Sequence, residues 1–188
     1  MSYTPDPYLL ALFSAHAEDL QQSYSRLKPF RMDFFFKANS ELYWQRRDDW
    51  SCYEMHRLAE YAMQALDGLV GYTWVQEFTP RHGIHFHAVF YLNAQRIRMP
   101  NQFVYALTDW WQYFTRGQGW DHDCSTRQSY HVFDGQRVVQ YDAPEQLKQL
   151  KRVLGYLAKT EQKDYRCYSF GLSDIPQPDG RGRPRKRH

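Results

Sequence analysis

The tightest constraint on this fold lies in residues 72–92, where YTWVQEF and IHFHAVFYL are separated only by TPRHG. Both runs are rich in β-branched and aromatic residues, the composition of strands. Five residues cannot carry a crossover between parallel strands, which takes a dozen or more, so the two runs must form an antiparallel hairpin. If the turn is symmetric about Arg81, Glu77 faces His85 across the strands and His87 follows two residues on. Alternation puts His85 and His87 on one side of the hairpin and Ile84, Phe86 and Ala88 on the other.

Around the hairpin the pattern alternates between helices and strands. Pro5 and Pro7 precede PYLLALFSAHAEDLQQSYSRL, with Leu9, Leu12, Phe13 and Leu20 at helical spacing, and Pro29 is expected to end it. FRMDFFFKA reads as a strand in which Phe34, Phe35 and Phe36 leave neither face fully wet. CYEMHRLAEYAMQALDGL is a second helix closed by Gly68, and residues 102–115 form a third that stops before Gly117 and Gly119. SYHVF and RVVQY suggest a second hairpin turning at Asp134-Gly135. APEQLKQLKRVLGYLAKTEQK is a helix with Pro144 near its start, and YRCYSFGL a last short strand. These elements predict an α+β fold, an antiparallel sheet flanked by helices.

Composition bounds what such a sheet can serve. With 188 residues the chain fits one domain and a tail, expected as an N-terminal helical segment (1–27), a body (28–175) and a basic, disordered tail (176–188). Aromatics make up 18% of the chain, enough to fill a core and to leave rings for stacking on flat ligands such as bases. Cys52, Cys124 and Cys167 have no metal spacing and are odd in number, which points to a reduced, cytoplasmic protein rather than a disulfide framework. No apolar run reaches the roughly 18 residues of a membrane span.

The formal charge of +3 is uneven. Five of the 24 basic residues, Arg181, Arg183, Arg185, Lys186 and Arg187, follow the last acid, Asp179, leaving 19 basic against 21 acidic residues in the body. Nucleic-acid contact in the body therefore relies on local arrangement, with Arg81 at the hairpin tip and Lys163 after the last long helix as candidates. The tail contains Arg181-Gly182-Arg183-Pro184, which looks like the core of an AT-hook for the narrow minor groove of A·T-rich DNA. The alternative is a generic basic tail that binds any polyanion.

Two constellations carry chemistry. Glu77, His85 and His87 offer a carboxylate and two imidazoles, three ligands that leave open positions on a divalent cation. The alternative is a solvent-facing strand with two incidental histidines. Tyr156 and Lys159 lie three apart on the helix 145–160, and of seven lysines only Lys159 has a tyrosine three residues before it. A phenol beside a cation is a candidate nucleophile; alternatively, Tyr156 is one more aromatic beside Leu150, Val153, Leu154 and Leu157.

Together these motifs resemble the HUH endonucleases, the superfamily of rolling-circle replication initiators, relaxases and related transposases. His85-Phe86-His87 matches the His-hydrophobic-His motif, Glu77 its acidic third ligand, and Tyr156-Leu157-Ala158-Lys159 the Tyr-x-x-Lys helix. Met32-Asp33-Phe34-Phe35-Phe36 matches the first-motif strand loosely. GIHFHAVFYLN, YLAKTEQ and YSFGLS are similar in order to segments of replication proteins from filamentous phages and cryptic prophages (the YagK/YfjJ-like group), over roughly residues 28–175. LSDIP departs from that group, whose members are more basic there.

The resemblance implies an HUH/Rep-type nuclease fold. It implies Mg²⁺ or Mn²⁺ on Glu77, His85 and His87, and attack by Tyr156 on single-stranded DNA to leave a phosphotyrosine and a free 3′-OH, with Lys159 on the phosphate. Its implied partners are single-stranded DNA and host replication proteins, with A·T-rich duplex for the tail and no membrane. The rival expectations are a non-cleaving DNA-binding regulator on the same fold and a metal-dependent nuclease that uses water.

Overall fold

Asp6 starts the first helix by accepting hydrogen bonds from the Tyr8 and Leu9 amides at 2.9 and 3.0 Å, with Pro7 in the first turn. The computed structural model describes residues 4–124, 137–161 and 169–175. Helix α1 (Pro7–Ser23) leads into strand β1 (Arg26–Phe36), then α2 (Glu41–Asp49), α3 (Tyr53–Ala65), β2 (Leu69–Thr79) and β3 (Gly83–Asn93). The chain continues through α4 (Asn101–Phe114), β4 (Gly119–Asp123), β5 (Val139–Gln140), α5 (Pro144–Leu157) and β6 (Phe170–Leu172).

All strand pairs are antiparallel, in the order β4-β1-β3-β2-β6, with β5 beside the start of β1. Alternation divides the side chains between two cores. Phe30, Met32, Phe34 and Phe36 of β1, with Ile84, Phe86, Ala88 and Phe90 of β3 and Trp74 of β2, pack against α2, α3 and α4 through residues such as Tyr43, Leu58 and Trp111. Leu27, Val75, Val89 and Tyr91 face the other way, onto Leu9, Phe13 and Leu20 of α1 and Leu150 and Leu154 of α5. The fold is thus α+β in three layers, with both sheet faces covered. Helix α1 belongs to the second core, and the division after residue 27 falls inside β1.

Several expectations need correcting. Pro29 does not end the first helix, which stops at Ser23; it sits within β1 opposite Tyr91. The Tyr141 amide donates to the Ser25 carbonyl on the β5 side, so by alternation the odd-numbered backbone groups of β1 point to that edge. There β5 pairs Arg26 and Leu27 and β4 begins at Met32, so Pro29, without an N–H, falls in the gap between them. Helix α2 was not expected; it starts at Ser40, whose hydroxyl accepts from the Tyr43 amide at 3.2 Å. Strand β4 was not expected either. Its first residue, Gly119, lies so close to Trp111 that a Cβ there would meet the indole nitrogen at 2.3 Å.

The second expected hairpin lies largely outside the described residues, although Val139–Gln140 is a strand against β1. Of YRCYSFGL, residues 165–168 are outside them and Phe170–Leu172 forms β6. Among the described residues, no helix is long and apolar enough to cross a membrane.

Candidate metal centre

The β2–β3 hairpin closes in the register that symmetry about Arg81 requires, with Glu77 opposite His85, Phe78 opposite Ile84 and Thr79 opposite Gly83. Thr79 Oγ1 accepts from the His82 amide at 3.1 Å and holds the turn. Gly83 is needed at its end: its φ is +65°, and a Cβ would meet the Tyr43 ring at 2.5 Å. Glu77, His85 and His87 are all buried, at 1%, 3% and 5% exposure, which excludes a solvent-facing strand. One potential ligand atom from each lies within 4.8 Å of the others.

Hydrogen bonds on the far side of each ring decide which nitrogen faces that shared space. His85 Nδ1 lies 3.0 Å from the Gly83 carbonyl, which can only accept, so Nδ1 carries the proton and Nε2 keeps its lone pair. His85 Nε2 is 3.9 Å from Glu77 Oε2. His87 Nδ1 lies 2.7 Å from Asp33 Oδ1, and His87 Nε2 lies 3.2 Å from the same Glu77 oxygen. Both rings are therefore pinned through Nδ1 and present Nε2 towards the carboxylate, the arrangement of metal-ligating histidines. A cation there meets two imidazole nitrogens and a carboxylate oxygen, with further positions open.

Asp33 is in turn fixed by Arg31, whose Nε and Nη2 donate to its two oxygens at 3.0 and 2.9 Å. Arg31 Nη2 also lies 3.1 Å from His87 Nδ1, a contact rather than a hydrogen bond once Nδ1 carries the proton that Asp33 accepts. Burial alone would raise the Asp33 carboxyl, but the charges of His87 and Arg31 outweigh it and hold the group well below the usual carboxylate range. Burial likewise opposes charge on His87, yet Asp33 and Glu77 raise it above its ordinary value. A proton and a cation therefore compete for His87 Nε2. Burial, helped by His87, pushes His85 down to about 4 and keeps it neutral at pH 7. Sequence reasoning did not assign Arg31 and Asp33 to the site; the available signal was two charged residues at alternate positions of the otherwise apolar run Phe30–Phe36.

Tyr156 and Lys159 meet this group from α5. The helix ends at Leu157, so Lys159 lies in the following turn rather than on the helix, its amide bonded to the Tyr156 carbonyl at 3.2 Å. That turn still brings both side chains to one side. Lys159 Nζ is 2.9 Å from Glu77 Oε2 and 4.1 Å from the centre of the Tyr156 ring. Arg31 covers the Tyr156 ring at 4.5 Å, and the His87 ring lies 5.7 Å from it. The N-terminal residues clamp the same turn: the Asp6 amide donates to the Ala158 carbonyl at 2.7 Å, the Thr160 amide to the Thr4 carbonyl at 2.8 Å, and Pro5 pairs with Lys159.

Arg81 is exposed at the hairpin tip. Lys163, Arg181, Arg183, Arg185, Lys186 and Arg187 lie outside the described residues. No family model matches the chain, and neither the curated proteins nor the solved structures contain a match. What the site establishes by itself is a buried Glu–His–His group that can hold a metal ion, with a tyrosine and a lysine beside it.

Proposed function

We propose that this chain nicks and rejoins single-stranded DNA through a phosphotyrosine at Tyr156, in the initiation of rolling-circle replication of a phage, plasmid or prophage element. The observation that carries the reading is the meeting of two segments far apart in sequence: Lys159 Nζ touches Glu77 Oε2, and Tyr156 packs beside His87. A metal centre with a phenol and an ammonium at its rim is suited to phosphoryl transfer to a side chain.

Glu77, His85 and His87 would hold Mg²⁺ or Mn²⁺, which supplies Lewis-acid polarisation of a phosphate oxygen. The Tyr156 hydroxyl attacks phosphorus in line; the Tyr–O–P bond forms as the P–O3′ bond breaks. The phenolic proton passes through solvent to the departing 3′-oxygen, leaving a 3′-OH end. Lys159 and Arg31 set positive charge around the ring and the incoming phosphate. Asp33 keeps His87 in the orientation that ligation requires. The basic segment Arg181–Arg187 would add affinity for A·T-rich duplex; deleting residues 177–188 should weaken duplex binding and leave single-strand nicking intact.

The test is incubation with an end-labelled single-stranded hairpin and Mn²⁺, followed by a denaturing gel. Protein-linked DNA is expected, lost with EDTA and in Tyr156→Phe. Cleavage that survives Tyr156→Phe would assign the reaction to water, and binding without cleavage would leave a DNA-binding regulator.

A further inference from the structure

Cross-strand partners share a sheet face, so the registers of β4, β1, β3 and β2 set Trp120, Phe35, His85 and Glu77 in one row across the sheet. Three rings in that row lie nearly parallel. Trp120 and Phe35 are 4.0 Å apart between centroids at 9°, and Phe35 and His85 are 5.3 Å apart at 10°. The stack runs from the edge strand to His85 of the candidate metal centre. Phe35 and His85 are buried within it, whereas Trp120 at its end is only half-buried.

Strand β4 is also held by its pairing with β1 and by the opposite face, where Gly119 abuts Trp111 and Asp121 accepts from Thr108 Oγ1 of α4 at 2.8 Å. Trp120 does not belong to the core that α1 and α5 build on Leu27, Val70, Val75, Val89 and Tyr91. One face of its indole covers Phe35; the other points away from the stack. Beside the row, the His82 ring lies 5.5 Å from Phe35, with the exposed Arg81 adjacent at the hairpin tip.

We propose that the outer face of Trp120 is a base-stacking platform that seats one nucleobase of the single-stranded DNA substrate within a few nucleotides of the scissile phosphate. The inference rests on the nicking reading and adds the element that fixes the strand in register. A base on that face extends the parallel stack by one ring, and Arg81 and His82 offer cationic and hydrogen-bonding groups to the backbone of a strand running towards Glu77, His85 and His87. Stacking accepts any base, so the platform supplies grip and register more than sequence preference.

The experiment uses the full chain and an abasic scan: single-stranded oligomers each lacking one base, with binding measured in the presence of Mg²⁺ for wild type, Trp120→Ala and Trp120→Phe. Trp120→Ala should weaken binding of the intact oligomer by about tenfold or more, with Trp120→Phe intermediate. One abasic position should cost wild type a similar factor and cost Trp120→Ala almost nothing, the coupling expected of two groups in contact. Unchanged Mn²⁺ affinity in Trp120→Ala checks that the site has kept its fold. An abasic penalty of equal size in wild type and Trp120→Ala at every position overturns the platform. Coupling without a protein–DNA adduct keeps the platform and overturns nicking alone; failure to bind single strands overturns both.

Discussion

Lys159 Nζ lies 2.9 Å from Glu77 Oε2, and both side chains are buried. Removing one partner of a buried ion pair leaves the other as an uncompensated charge, which typically costs about 3–5 kcal/mol. Lys159→Met should therefore lower the urea midpoint sharply in EDTA. A divalent cation can restore the missing positive charge at Glu77, and the variant no longer has an ammonium competing for that oxygen. Mn²⁺ should raise the melting temperature of Lys159→Met more than that of wild type. Equal Mn²⁺ shifts in the two proteins would show that Lys159 and the cation do not share Glu77.

Asp33 acts on the metal through His87. Its Oδ1 accepts from Nδ1 at 2.7 Å, while Arg31 holds the carboxylate with two further bonds. Asn at this position keeps the shape but loses the charge and lets an N–H face the ring, favouring the wrong tautomer. Asp33→Asn should weaken Mn²⁺ or Co²⁺ binding by about 10–100-fold, read by calorimetry or by the Co²⁺ absorption bands. Wild-type affinity in this variant would reduce Asp33 to a structural residue.

The turn carrying Lys159 is bonded to the end of α5 and, from the other side, to residues 4–6. A chain lacking residues 1–6 loses both the Asp6 cap of α1 and the acceptor for the Thr160 amide. Hydrogen exchange at Thr160 should speed up by at least about tenfold, while amides in the centre of β3 keep their protection. Asp6→Ala, which removes the side-chain cap and leaves the backbone bonds, should cost about 1 kcal/mol without exposing Thr160. Unchanged exchange at Thr160 in the truncated chain would contradict the clamp.

The hairpin and its ligands were legible in the sequence because the short turn fixes the register locally: Glu77 meets His85 with no long-range information. Asp33 was not, since its pairing with His87 depends on how β1 docks against β3. The same dependence hid β4. GWDHD shows no apolar alternation, and it is a strand because the edge of β1 needs partners. Helix α2, mostly polar in ELYWQRRDD, has little signal beyond its Ser40 cap. Pro29 misled in the opposite sense: expected as the stop of the first helix, it lies inside β1, where a proline is tolerated because its missing N–H faces no waiting acceptor.

A last prediction concerns acid stability away from the metal centre. His16 of α1 is buried, and its Nε2 lies 3.0 Å from the Ser173 carbonyl and 3.1 Å from its hydroxyl. Burial lowers its pKa, against the opposing pull of the Ser173 carbonyl and Asp19. The unfolded chain then takes up the His16 proton first as pH falls below about 6.5. Stability from this residue is fully present above that value and is lost as pH drops towards the folded pKa. Taken by itself, His16 should therefore lower the urea midpoint at pH 5.5 relative to pH 7.5. His85, also depressed, contributes in the same direction, whereas His87, raised by Asp33 and Glu77, gains stability over the same range, so the His16 share is read by comparing wild type with a His16 variant. His16→Gln retains an amide that can bond Ser173 and removes one titrating group, so its midpoint at pH 5.5, taken relative to that at pH 7.5, should be higher than the same comparison gives for wild type. A difference as large as that of wild type would assign the acid sensitivity elsewhere.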